Sequence, residues 1–150
     1  MALRRILKVG EDILRKKSRP VEKIDGRILE LIEDLKETLK DAEGVGLAAP
    51  QVGILRRVAI VNSDAGLIEL INPKILETEG EVESEEGCLS VPDRVGIILR
   101  PNKLTICTLD KNGEEQTMEC EGLLARVICH EIDHLDGILI LDKMIREVKE

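Results

Sequence analysis

No phenylalanine, tyrosine or tryptophan occurs anywhere in the 150 residues. A chain of this length ordinarily carries on the order of ten, and large core burial usually leans on them. Their absence reads as removal, of the kind a reduced-alphabet or reconstructed design leaves, and forces an aliphatic core. Basic residues are also short: 22 Lys and Arg against 30 Asp and Glu give a net charge of −8. That excludes the clustered positive surface needed for phosphate contacts with nucleic acid. No apolar run approaches ~18 residues, so no membrane-spanning helix is expected. The opening stretch, Met1-Ala2-Leu3-Arg4-Arg5-Ile6-Leu7, has neither the apolar core nor the cleavage site of a secretory signal, and a cytoplasmic location is expected. Linkers, repeats and low-complexity tracts are missing as well, which leaves a single domain over 1–150.

Of the four cysteines, Cys88, Cys107, Cys120 and Cys129, none sits in a context that suggests export, so reduced thiols are expected. Cys107 and Cys120 flank an Asn112-Gly113 turn and read as small core residues, near neighbours across a hairpin.

Apolar periodicity supplies the elements. Ile28, Leu31, Ile32, Leu35 and Leu39 follow i, i+3, i+4, i+7 and i+11, which predicts an amphipathic helix to Lys40 with Asp25 near its start. Residues 11–17 can form a short helix, broken before Pro20. Arg57–Val61 and Leu67–Ile71 read as strands, the second ended by Asn72-Pro73. Lys74–Glu83 alternates as a solvent-facing strand. Lys103–Leu109 and Gln116–Glu121 bracket the hairpin turn. A further helix is predicted over Leu123–Asp136, with Gly137 at the place of a C-terminal glycine, and a short last helix from Asp142 onward. This order predicts an α+β fold of mostly antiparallel sheets around a central motif-bearing helix, with an N-terminal helix and a short C-terminal one.

Histidine is nearly absent, and both copies, His130 and His134, fall in His130-Glu131-Ile132-Asp133-His134. Four residues apart on a helix they share one face, about 6 Å apart at Cβ, close enough to bind one metal ion at ~2.0–2.1 Å. Glu131 beside them can reach a metal-bound water. A catalytic site ordinarily takes three protein ligands, and no histidine is left. Glu147 and Glu150 lie downstream in a charged terminus and are discounted. Cys88, in Glu85-Glu86-Gly87-Cys88-Leu89-Ser90, offers a thiolate, although an isolated cysteine is more often core. The glycine-rich Gly44-Val45-Gly46-Leu47-Ala48-Ala49-Pro50-Gln51 is a tight turn or a binding loop, with Gln51 its one side-chain hydrogen-bond donor.

Taken together, those three stretches resemble, in order and spacing, the signature motifs of the peptide deformylases, and the likeness covers essentially the whole chain. The resemblance implies removal of the formyl group from N-formylmethionyl peptides or nascent chains. It assigns Cys88, His130 and His134 to one divalent metal ion, with water at a fourth position. Fe(II) is the family's usual ion; Zn(II), Ni(II) and Co(II) suit the same ligands. It assigns Glu131 as general base and acid, Gln51 and the Leu89 N–H as oxyanion donors, and Gly44, Val45, Gly46, Leu123 and Val127 to substrate. Asp133 is either an orienting group beside the ligands or a solvated carboxylate. Family members carry aromatics near Leu123 and around 138–141, where this chain is aliphatic, and a Tyr or Arg near Val95, where Arg94 is adjacent. No nucleic-acid or membrane partner is expected, and a monomer is favoured. Two other readings remain: a His-Glu-x-x-His endopeptidase with a different third ligand, and a folded metal-binding scaffold without catalysis.

Overall fold

The chain is described from a computed structural model covering residues 2–148. Helix α1 (Gly26–Ala42) starts where Asp25 Oδ1 accepts the Arg27 and Ile28 N–H groups and ends at the left-handed Glu43. Strands β1 (Gly46–Ala48), β2 (Val58–Ser63), β3 (Gly66–Glu79), β6 (Lys103–Leu109) and β7 (Glu115–Glu121) follow one another across one antiparallel five-stranded sheet. Strands β4 (Val82–Cys88), β5 (Val91–Arg100) and β8 (Arg146–Val148) form a second sheet of three. Helix α2 (Gly122–Leu135) and the one-turn α3 (Ile140–Lys143) complete an α+β architecture. No helix among the described residues is long and apolar enough to cross a membrane.

The larger sheet is covered on both faces. Leu31, Ile32, Leu35 and Leu39 of α1 pack on Leu47, Val58, Ile60 and Ile71. Ala125, Ile128, Ile132 and Leu135 of α2 pack on Ala48, Ala59, Val61 and Leu70 from the opposite side. Strand β2 therefore reads as a continuous apolar run and not as an alternation, because successive side chains enter two different cores. Ala48, Ala59 and Ala125 are fully buried. Small side chains at that contact let α2 sit close to the sheet.

Several boundaries differ from those predicted. Asn72-Pro73 does not end β3: Asn72 takes a left-handed φ of 50° at a bulge, its side chain clasps the Val21 backbone, and pairing resumes at Lys74. The bulge gives proline a place free of ladder donation. The stretch 74–83 is divided at Gly80 between β3 and β4, which belong to different sheets. Residues 11–17 tighten to a 3-10 turn, Asp12–Arg15, anchored by Leu14. Cys107 faces Thr117, and Cys120 faces Leu104. The register leaves the two thiols on opposite faces of the hairpin, not adjacent. The predicted last helix is the single turn α3 followed by β8, which pairs with β5; its predicted final residues, 149–150, lie outside the described range. Strand β5 has no counterpart in the sequence-based elements.

Past α2, Gly137 has φ 76°, and a Cβ there would stand 2.5 Å from the Arg15 carbonyl oxygen. Gly137→Ala is expected to lose about 1–3 kcal/mol, measured as a lower denaturant midpoint. An unchanged midpoint would rule out this close approach.

Candidate active site

Helix α2 turns its 123, 127, 130, 131 and 134 positions toward the gap between the sheets, as a 3.6-residue repeat requires. The rings of His130 and His134 stand 5.1 Å apart by centroid. Cys88 closes β4, and three residues later Val91 opens β5 as its paired neighbour, so the thiol stands beside a two-residue hairpin tip. Its Sγ is 3.3 Å from His134 Nε2, and the ligand atoms of Cys88, His130 and His134 all lie within 4.8 Å of one another. A tetrahedral ion would space such ligands by about 3.4 Å, so small side-chain shifts suffice to hold one. This cluster joins residues more than forty positions apart in sequence.

Charge in the site also fits a cation. Burial opposes a proton on His130, but its hydrogen bonds to Cys88 and Glu86 and the Glu131 charge prevail and push its pKa up to about 10. Burial, then His130 and Arg100, hold His134 well below the usual range and keep it neutral. The anionic surroundings thus retain positive charge at the His130 end. His130 Nδ1 donates to Glu86 Oε1 at 2.9 Å, so Nε2 is the nitrogen that would ligate a metal, which would displace its proton. Glu131, 2% exposed, has Oε1 buried without a partner. A buried oxygen left unpaired beside three metal-type donors is what a site completed by an ion and its water would show.

Glu86 lies in the cysteine motif without a role readable from sequence, and Arg100 carries no sequence signal. They form a ladder behind His130. Arg100, 3% exposed, makes two bonds to Glu86, at 2.9 and 2.8 Å, and one to Asp133 at 2.6 Å. Asp133, one of the two readings for that residue, is thereby an orienting group, and Lys143 closes its other oxygen at 3.1 Å. Burial would raise the Glu86 pKa, but Arg100 and His130 outweigh it and lower it to about 2. Its charge therefore stabilises the fold above pH ~4.5, and that stabilisation is lost as pH falls toward about 2. Glu86→Gln is expected to flatten the acid limb of stability over that window and to weaken metal binding about 10–100-fold. Acid unfolding and competitive chelation measure both effects, and a parallel acid limb would contradict the first.

Gln51, 1% exposed, sits in the 3-10 turn Ala49–Val52. Its Oε1 accepts the Ala48 N–H at 3.0 Å, which fixes the nitrogen toward Ser90 Oγ (3.0 Å) and Cys88 Sγ (3.8 Å). Ser90 is a site residue whose only sequence signal is its place two residues after the cysteine. A Cβ on Gly46 would stand 2.5 Å from Glu131 Oε2, so that glycine is what lets the carboxylate reach its position.

All of Gly44, Val45, Gly46, Gln51, Cys88, Leu89, Leu123, Val127, His130 and Glu131 line one cleft of about 440 Å³, and His134 lies beneath it. Val45 and Leu123 stand on its rim, 59% and 64% exposed, and Val127 is buried in its wall. Two residues stand apart. Arg94 is held on the surface by Glu147 through bonds of 3.2 and 2.7 Å, away from the cleft. Glu147, discounted as a ligand, is that partner.

A thiol, two imidazoles and a buried carboxylate gathered at one apolar cleft are the kind of donor set a metal-dependent hydrolase uses. The profile of the polypeptide deformylases matches residues 3–150, and the chain belongs to that family. A peptide deformylase of Caldicellulosiruptor bescii is 53% identical over 150 residues, covering 100% of this chain and 90% of the relative. The crystal structure of the Thermotoga maritima peptide deformylase superposes with a TM-score of 0.93 at 41% identity, over 96% of this chain and 99% of that one. A Met-Ala-Ser-bound class I type b peptide deformylase from Acinetobacter baumannii superposes with a TM-score of 0.89 at 34% identity, over 95% and 99% of the two chains.

Proposed function

We propose that this chain hydrolyses the N-formyl group of formylmethionyl peptides, releasing formate and a free α-amine. The observation that carries the reading is the unpaired, buried Glu131 oxygen beside the Cys88, His130 and His134 donors. A divalent ion held by those three residues supplies Lewis-acid activation of water near neutral pH. Fe(II) is the ion proposed, with Zn(II), Ni(II) and Co(II) compatible by ligand softness.

The outer edge of β1 pairs with no strand among the described residues. A peptide can add to that edge at Gly44–Gly46 by main-chain hydrogen bonds. Its methionine side chain then enters the apolar space between Val45, Leu123 and Val127. Glu131 takes the proton of the attacking water and later delivers it to the amine nitrogen as the C–N bond breaks. Burial first, then the charges of Glu86 and Asp133, raise its pKa to about 7, which suits both halves of the transfer. The Gln51 amide and the Leu89 N–H donate to the oxygen on which charge develops. The Acinetobacter baumannii relative, bound to Met-Ala-Ser, supports a peptide of the product's kind in this cleft. We take the monomer as the working unit, acting where formylated chains are made, in the bacterial cytoplasm.

Anaerobically prepared, metal-loaded protein is expected to release formate from formyl-Met-Ala-Ser. One metal per chain with no formate would reduce the protein to a metal-binding scaffold.

A further inference from the structure

Both proposed oxyanion donors are held by the same short piece of chain. Leu7 N–H donates to the Gln51 carbonyl at 2.7 Å, and Val9 N–H to the Ser90 carbonyl at 2.7 Å. Between them, the Lys8 ammonium donates to the Leu89 carbonyl at 3.0 Å. Residues 7–9 thus strap the Gln51 turn to the two-residue tip, Leu89-Ser90, that follows Cys88.

That tip leans on outside support. Neither Leu89 nor Ser90 has the positive φ by which most two-residue hairpin turns match the strand twist. Its supports are the Ser90 Oγ bond from Gln51, the Val9 backbone, the Leu89 side chain against Leu39 and Gly44, and Lys8. Among these, Lys8 is the one polar side chain that reaches the tip from elsewhere in the chain without belonging to the proposed catalytic set. A charge-assisted bond to a carbonyl is shorter and stronger than a neutral one.

We propose that Lys8 is a positioning residue: by holding the Leu89 carbonyl it fixes the turn from which the preceding Cys88-Leu89 peptide aims the Leu89 N–H at the developing oxyanion. This rests on the reading of Gln51 and Leu89 given above. Donors that are fixed in advance act on the transition state more than on the bound substrate. The effect therefore falls on kcat.

The experiment compares Lys8→Met and Lys8→Arg with the parent chain as metal-loaded enzyme on formyl-Met-Ala-Ser, and follows amide exchange over residues 84–95 in the metal-free protein. Lys8→Met is expected to lower kcat about 2–10-fold with KM unchanged, to speed exchange at the tip, and to be restored by Lys8→Arg. An unchanged kcat overturns the proposal. So does a loss that tracks the melting temperature and is not restored by arginine. Should the parent itself release no formate, the functional reading fails separately, and unaltered exchange at the tip in Lys8→Met would then overturn the strap.

Discussion

Glu131→Gln is expected to release formate about 10²–10⁴-fold more slowly than the parent chain while binding the same one metal ion. Glutamine fills the same volume against Gly46, where a single added methyl would already collide with the carboxylate. It can neither take a proton from water nor return one to the departing nitrogen. Because burial and nearby carboxylates push Glu131 up to about 7, its ionisation opposes folding in the metal-free chain. The sign follows from linkage: a carboxyl whose folded pKa is raised contributes its stability below the unfolded value of 4.5, and that stability is lost as pH rises through about 7. Metal-free Glu131→Gln should therefore gain stability over the parent between those two pH values. A stable, metal-loaded variant that still turned over at the parent rate would remove Glu131 from the chemistry.

Cys88→Ala should abolish metal retention and formate release together. Loss of a group merely bonded to a ligand weakens binding ~10–100-fold, and loss of a ligand exceeds that. Alanine at this half-buried tip leaves the fold intact, so the melting temperature of the metal-free form should barely move. Cys129 supplies the control. Its thiol lies in the α2 core, and burial pushes it up to about 11. Cys129→Ala should keep both metal and turnover, at a modest cost in stability. If Cys88→Ala held its metal and cut peptides, an endopeptidase with another third ligand would replace the deformylase reading.

What could be read in advance depended on how local its cause was. Helix α1 was legible because five apolar residues on one stripe need nothing beyond their own spacing. The hairpin was legible because Asn112-Gly113 sets its own turn, with Gly113 at φ 80°. Strand β5 was not, since its apolar run Val95–Leu99 follows the exposed Pro92–Arg94 excursion, with Asp93 left-handed, that breaks the register. Strand β8 has three residues and exists only by pairing with β5. In the site, the histidine pair declares itself by spacing on one helix, while the cysteine is only one candidate by its local context and is assigned through a family likeness. The Glu86–Arg100–Asp133 ladder had no sequence signal, because its members meet only when β4, β5 and α2 are assembled. Absence of aromatics hid nothing from the fold: Leu and Ile supply its largest fully buried side chains, among them Ile32, Leu35, Ile60 and Leu70.

X-ray absorption on the zinc-loaded protein tests the central claim most directly. One sulfur at about 2.3 Å and two imidazole nitrogens at about 2.0–2.1 Å are expected, with no zinc retained by Cys88→Ala. A spectrum of nitrogen and oxygen ligands alone in the parent chain would contradict the proposed centre.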